Sequence, residues 1–344
     1  MISLLKTNRI IVTHSPTPIE SLEGLSEFIG VDFFVKRDDR LDELGCGHKL
    51  RSLEYLLPYH ISKGADCVVT FGSLRSNHTK AVSITCAKLS LKTHVLIGGD
   101  NFFVPHTLQG SSLITALTGA SLYWCQGVKW SEMSATAIKF LETLKQEGRQ
   151  PALISPEHGT YPGILGFIRL GNELRDQLGS DGAVNILLPV GTGALAAGIC
   201  VANVLGNFGW TIYGICVTSD RQSALTSIDR VLVSLLDHED LSSFKTEDFL
   251  SSLTLYDSLA YRDYDRFDDY TLKTTKELFQ STGVIFEPNY MLKCCLAARE
   301  LFRAGHLTSC SKNVMIHTGG AFSLLDLPCP ITPLNPLIEA SSFS

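Results

Sequence analysis

Residues 185–199 read NILLPVGTGALAAGI. The apolar run from Asn185 to Val190 predicts a strand buried on both faces. Gly191-Thr192-Gly193 predicts a tight turn, and the small apolar residues after it predict a helix. Residues 183–206 carry no charge, and length alone would allow a membrane span. Pro189, Gly191 and Gly193 in the middle are better explained by strand, turn and helix. A turn of this kind offers backbone N–H groups and the positive end of a helix dipole to a phosphate. As a dinucleotide fingerprint it is poor. The GxGxxG spacing breaks at Ala196, and no acidic ribose partner follows the next strand. An NAD-dependent dehydrogenase is therefore disfavoured.

The same alternation extends in both directions. Residues 31–35, 67–71, 93–97, 152–155, 211–217 and 313–317 are short runs rich in β-branched or aromatic side chains, and read as strands. Helical spacing follows Lys49 (Leu50, Leu53, Leu57, Ile61) and Asn77 (Val82, Cys86, Leu89). It recurs over 131–147, 161–178, 271–281 and 289–304. The pattern predicts an α/β fold built on two open, mostly parallel twisted sheets flanked by helices. The polar, acidic stretch 237–269 is expected to be an irregular surface excursion, and the tail after Pro328 to pack loosely.

At 344 residues the chain exceeds one ordinary core, so two lobes are expected. Apolar residues make up 44% and charged residues 19%, which suits a globular protein. The formal charge of −6 comes with no basic block, which argues against a nucleic-acid partner. The ten cysteines are scattered and form no CxxC pair. They predict reduced thiols in a cytoplasmic protein and no zinc site. The N-terminus lacks the apolar core and cleavage site of a secretory signal.

Ligands of open α/β sheets lie beyond the carboxyl ends of strands, so three further turns carry the chemistry. In Gly45-Cys46-Gly47-His48-Lys49 a glycine turn delivers a lysine to a helix start. The helix dipole there disfavours the ammonium and favours a reactive amine. The same pattern is also compatible with a solvated lysine. In Thr70–Thr79, TFGSLRSNHT, free helix-start N–H groups with Ser76, Asn77 and Thr79 form a carboxylate site; simple capping by Ser76 or Asn77 is the plainer alternative. His317-Thr318-Gly319-Gly320 follows a strand, where Thr318 could present a hydroxyl to a heterocycle nitrogen and the glycines admit a close ligand.

Together these segments resemble the D-cysteine desulfhydrase and 1-aminocyclopropane-1-carboxylate (ACC) deaminase family of fold-type-II enzymes that use pyridoxal 5′-phosphate (PLP). The resemblance runs from about Thr17 to Asp326. It implies that Lys49 carries the cofactor as a Schiff base and that Ser76 and His78 lie near the substrate carboxylate. It also implies that Asn77 lies near the cofactor's 3′-oxygen and that Gly191, Thr192, Gly193, Ala194 and Leu195 form the phosphate loop. Tyr290 of EPNYMLK and, upstream, Tyr264 correspond to two family tyrosines in the site, and Thr318 to the partner of the pyridine nitrogen. The chain departs from the family pattern at several positions. His48 replaces an asparagine, Ser52 a phosphate-binding lysine, and Ala194-Leu195 a Gly-Thr pair. Met291 replaces a threonine or glutamate, and Arg75 stands where glutamine is frequent. A guanidinium at 75 suits a second anionic group on the substrate.

What the resemblance implies is a PLP-dependent lyase or deaminase, active as a homodimer. It would carry out α,β-elimination on a small D- or β-substituted amino acid to give a 2-keto acid and ammonia. The alternatives are ACC ring opening or β-replacement on the same fold, and a non-catalytic relative with weakened cofactor binding. Residues 1–52 with 162–344 are expected to form a large cofactor-binding domain and 53–161 a small one. No metal, membrane or nucleic-acid partner is expected.

Overall fold

The computed structural model describes residues 7–100, 102–156, 160–258 and 268–326. Two sheets organise them. The first has the order β1-β2-β10-β7-β8-β9, from Ile19–Ser21 (β1), Phe33–Lys36 (β2), Ala183–Val190 (β7), Thr211–Cys216 (β8), Leu253–Tyr256 (β9) and Ser311–Ile316 (β10). Only the three-residue edge strand β1 runs antiparallel to its neighbour; the other pairings are parallel. The second sheet has the order β5-β4-β3-β6 and parallel pairings throughout. Its strands are Cys67–Gly72 (β3), Lys92–Gly98 (β4), Ser121–Cys125 (β5) and Pro151–Leu153 (β6).

Helices cover both faces of each sheet, as parallel strands require. On one side of the large sheet, Leu165–Leu178 (α6), Ala194–Gly206 (α7) and Arg221–Leu236 (α8) supply Leu170, Ile199 and Ile228 to one core. On the other, Glu23–Ile29 (α1), Asp269–Thr282 (α10) and Met291–Arg303 (α11) supply Leu25, Leu278 and Cys295. The small sheet packs Leu50, Leu53 and Leu57 of Lys49–Ser62 (α2) with Val82 and Cys86 of Asn77–Lys88 (α3) on one face. Met133, Ala137 and Leu144 of Trp130–Gln146 (α5) cover the other. Gly110–Leu117 (α4) and Thr246–Leu250 (α9) complete the helices.

The α/β class and the two mostly parallel sheets are as expected, and 183–206 divides into β7, a turn and α7. Among the described residues no helix is long and apolar enough to cross a membrane. Three corrections follow. The stretch 237–269 is not wholly irregular: it contains α9 and β9, where Leu253 and Leu255 pair with Ile212 and Gly214 of β8 and make β9 the edge strand of the sheet. Strands β1 and β5 were not expected, because three residues and the half-exposed run SLYWC carry no strong local signal. Ile61 is 39% exposed rather than part of the α2 core face.

A buried charge cluster locks α2 to the large sheet. Arg51 grips both oxygens of Asp38 (2.7 and 2.7 Å) and both of Glu173 on α6 (2.9 and 3.0 Å). Lys36 at the end of β2 bonds Glu173 at 2.5 Å, Gln177 at 2.6 Å and the Thr17 carbonyl at 2.6 Å. Burial would raise the Glu173 carboxyl, but Arg51 and Lys36 outweigh it and hold its pKa at about 2. A depressed carboxylate pKa stabilises the fold above its unfolded value, and that stabilisation is lost as pH falls through the folded one. Unfolding free energy should therefore drop between about pH 4.5, the ordinary value, and about 2. Denaturant titrations across this window should show a shallower slope in Glu173→Gln than in wild type. Equal slopes would mean that the cluster does not hold Glu173 ionised.

Candidate active site

The turns beyond β10 and β3 come together with the turn before α2 that carries Lys49, and the turn beyond β7 meets Tyr290 at the start of α11. Gly45 (φ 59°) and Gly47 (φ 68°) bend this turn in the left-handed region. A Cβ on Gly47 would fall 2.0 Å from the Thr318 carbonyl oxygen, and one on Gly319 would fall 2.8 Å from the Gly47 Cα. The turns carrying Lys49 and Thr318 thus pack backbone to backbone, an approach open only to glycine. His48 completes the seam: its N–H donates to the Thr318 carbonyl (3.3 Å), its Nδ1 lies 3.1 Å from the same oxygen, and its ring packs on Phe167. Burial, and then the nearby Lys49, lower the His48 pKa to about 3, leaving a neutral imidazole.

Lys49 is the first residue of α2, and its side chain is half-buried. Burial disfavours the ammonium and lowers its pKa to about 8. Ser76 caps α3, its Oγ accepting from the Thr79 N–H at 3.3 Å. Asn77 follows, and its Oδ1 is buried with no hydrogen-bond partner among the described residues. His78 is turned into the interior, with Nε2 3.0 Å from Thr70 Oγ1 and 3.1 Å from the Ile154 carbonyl. Burial, and then the charge of Lys49, lower its pKa to about 3. Arg75 sits half-buried in the turn ahead of α3.

Gly191 and Thr192 are half-buried and Gly193 is buried, at φ 85°. The first bond closing α7 runs from the Ala197 N–H to the Gly193 carbonyl, so the preceding N–H groups have no helical acceptor. Ala194 and Leu195 are buried and bring no polar side chain. A Cβ on Gly191 would meet the Tyr290 ring at 3.5 Å, which places this tyrosine against the loop. The next residue, Met291, is fully buried, and its Sδ accepts from both the Thr318 hydroxyl and the Thr318 N–H at 3.3 Å. Tyr264 lies outside the described residues. Ser52 is fully buried in α2.

One residue at the site was not singled out in the sequence. Glu287 is fully buried, and its carboxylate accepts from the N–H groups of Asn289 (2.8 Å), Tyr290 (2.9 Å) and Met291 (3.2 Å). Burial raises its pKa to about 7, against those three bonds and Lys293. An acid placed just ahead of a helix start is a capping signal that could have drawn attention to it.

A sequence profile described as "Pyridoxal-phosphate dependent enzyme" matches residues 10–319. The chain belongs to this family. A putative ACC deaminase of Pyrococcus horikoshii is 30% identical over 92% of this chain and 93% of its own length. The bifunctional D-cysteine desulfhydrase/ACC deaminase of Arabidopsis thaliana is 26% identical over 94% of this chain and 80% of its own length. The crystal structure of an ACC deaminase homologue superposes with a TM-score of 0.81 at 26% identity, covering 94% of this chain and 96% of the other. The protein is thus a PLP-dependent enzyme of the ACC deaminase/D-cysteine desulfhydrase family with the fold-type-II architecture. Its site fits the cofactor. A desolvated amine, the Asn77 amide with its Oδ1 unpartnered among the described residues, and a glycine turn whose N–H groups precede the first bond of α7 are groups that would hold a pyridoxal phosphate.

Amine-directed labelling of the protein stripped of cofactor should give Lys49 a titration midpoint near 8. Exposed lysines should titrate near ~10.4. If Lys49 titrates with the surface lysines, burial does not activate it.

Proposed function

We propose that this enzyme eliminates a β-substituent from a small amino acid, in the manner of a D-cysteine desulfhydrase, to give a 2-keto acid and ammonia. The observation that supports this most directly is Lys49, an amine with its pKa lowered to about 8 at the seam of the two glycine turns. When bound, PLP supplies an electron sink for the substrate α-carbon. In this proposal Lys49 would hold the cofactor, and its amine would take the proton from the substrate α-carbon. A base titrating near neutrality suits that step. The N–H groups of the Gly191–Leu195 turn and the α7 dipole hold the phosphate without help from a hydroxyl at 194 or 195. Ser76, Asn77 and the start of α3 hold the substrate carboxylate and so orient the scissile bonds. His78 would back this loop, Arg75 would accept a second anionic group, and Tyr290 and Tyr264 would serve as the two tyrosines of the site.

In this reading Thr318 would be the partner of the pyridine nitrogen, and its hydroxyl donates to Met291 Sδ (3.3 Å). A thioether neither pairs with nor protonates that nitrogen. With Thr318 and Met291 as its neighbours that nitrogen would stay unprotonated, which would favour prompt loss of a β-leaving group. Loss of the α-proton and of the β-substituent with its electron pair gives an unsaturated amine, which water converts to the 2-keto acid and ammonia. ACC ring opening is the second reading, supported by the names of the relatives. We place residues 1–52 and 162–344 in the cofactor-carrying domain and 53–161 in the smaller one. The working form is a homodimer in the cytoplasm, where the buried free cysteines stay reduced.

Wild-type protein mixed with PLP should develop a red-shifted absorbance band that Lys49→Ala lacks. Lys49→Ala should lower kcat by about 10²–10⁴-fold. D-cysteine should yield pyruvate, ammonia and sulfide. Turnover of ACC to 2-oxobutanoate without turnover of D-cysteine would establish ring opening instead. No band at saturating PLP would overturn the lyase reading.

A further inference from the structure

We propose that Glu287 is a positioning residue that sets Tyr290 against the Gly191 turn and Met291 against Thr318, a role that builds on the lyase reading above. Its carboxylate takes the N–H groups of Asn289, Tyr290 and Met291, and its own carbonyl takes that of Leu292 at 3.0 Å. One residue therefore satisfies four consecutive N–H groups leading into α11, three of which the helix start leaves without partners. An exposed serine or aspartate would cap a helix at lower desolvation cost. Here the cap is a fully buried carboxylate, and it sits among site residues. A Cβ on Gly320 would lie 2.8 Å from Glu287 Cγ, 3.2 Å from its Cδ and 3.1 Å from Asn77 Nδ2. The carboxyl and the Asn77 amide thus flank Gly320, directly after Thr318 and Gly319.

Two side chains depend on this geometry. Tyr290 departs from helical geometry (φ −128°, ψ −60°), and its ring lies against Gly191 of the turn before α7. Met291 directs its sulfur at Thr318. Both residues are held through the N–H groups that Glu287 accepts. The rest of α11 is anchored separately, by Leu292, Cys295 and Leu296 in the core and by Lys293 Nζ on the Val217 carbonyl (2.9 Å). Weakening the Glu287 clamp therefore loosens the first turn of α11 and leaves the helix in place.

The test compares wild type, Glu287→Asp and Glu287→Gln. In Gln an NH2 replaces one oxygen and opposes a backbone N–H; Asp keeps the charge on a shorter arm. Amide hydrogen exchange without added cofactor should be faster at Asn289, Tyr290 and Met291 in Gln by about tenfold or more, as loss of a charge-assisted bond predicts. Exchange in α6 and β7 should be unchanged, and Asp should fall between the other two. In the holoenzymes, kcat and PLP affinity should fall in the same order, with KM little changed. Unchanged exchange at 289–291 in Gln would overturn the proposal. Faster exchange with wild-type kcat and PLP affinity would also overturn it, leaving Glu287 a purely structural cap. If Gln fails to fold, wild type against Asp provides the same comparison. Wild-type protein that binds no PLP would sink the lyase reading, while exchange would still decide whether Glu287 holds Tyr290.

Discussion

The grip of Arg51 on Asp38 and Glu173 is the constraint on which the site depends. Arg51 lies two residues beyond Lys49, and its guanidinium ties the start of α2 to the end of β2 and to α6. Lys36 balances the second carboxylate, so two cations face two anions in an almost dry interior. Such a cluster adds little net stability over apolar residues of the same volume, yet loss of one member costs about 3–5 kcal/mol because a charge is left buried. Its value here lies in specificity of placement. Apolar packing would let α2 slide or rotate by a fraction of a turn, whereas a bidentate guanidinium accepts one arrangement. Gly166 permits the approach, since a Cβ there would fall 2.0 Å from the Arg51 carbonyl.

With α2 fixed, the contact of Gly47 with Thr318 and Gly319 brings the Lys49 turn against the end of β10. The order of the large sheet does the rest, because β10 and β7 are neighbours. Their carboxyl-end turns, Thr318–Gly320 and Gly191–Gly193, therefore open side by side, and α11 places Tyr290 and Met291 across the gap. Asn77, from the smaller sheet, reaches Gly320 from the other side. Lys80 on α3 strengthens that approach. Its Nζ donates to the Gly45 carbonyl at 3.2 Å and lies 4.6 Å from the centre of the Phe322 ring. Elements distant in sequence thus share one small volume, and most of these contacts pass through a glycine or a backbone carbonyl.

Most of the parallel strands were legible because strands buried on both faces are nearly continuous apolar runs. The turns after them were legible because glycine and small polar residues stand out against that background. Strands β1, β5 and β9 escaped notice because they are short, half-exposed or at an edge, and the sheet recruits them through backbone pairing rather than side-chain pattern. Lys49, Ser76, Asn77 and Thr318 were singled out because each sits in a glycine or small-polar turn at a helix start or after a strand, and Tyr290 through the family resemblance. Glu287 was not, since a carboxylate beside a proline looks like an ordinary solvated turn until its burial is known.

Composition and periodicity by themselves determined the α/β class and the order of its main strands and helices. Motif order determined that Lys49 heads a helix beside a glycine turn. These properties depend on neighbours within a few residues, which the linear chain displays directly. Only the tertiary structure decided that His78 turns inward to Thr70 and Ile154, that the Thr318 hydroxyl donates to Met291, and that burial lowers the Lys49 amine to about 8. Each of these depends on desolvation and on partners more than twenty residues away, or on the direction a side chain takes once the core has closed around it. Those quantities come into being only when the two sheets and their helices pack.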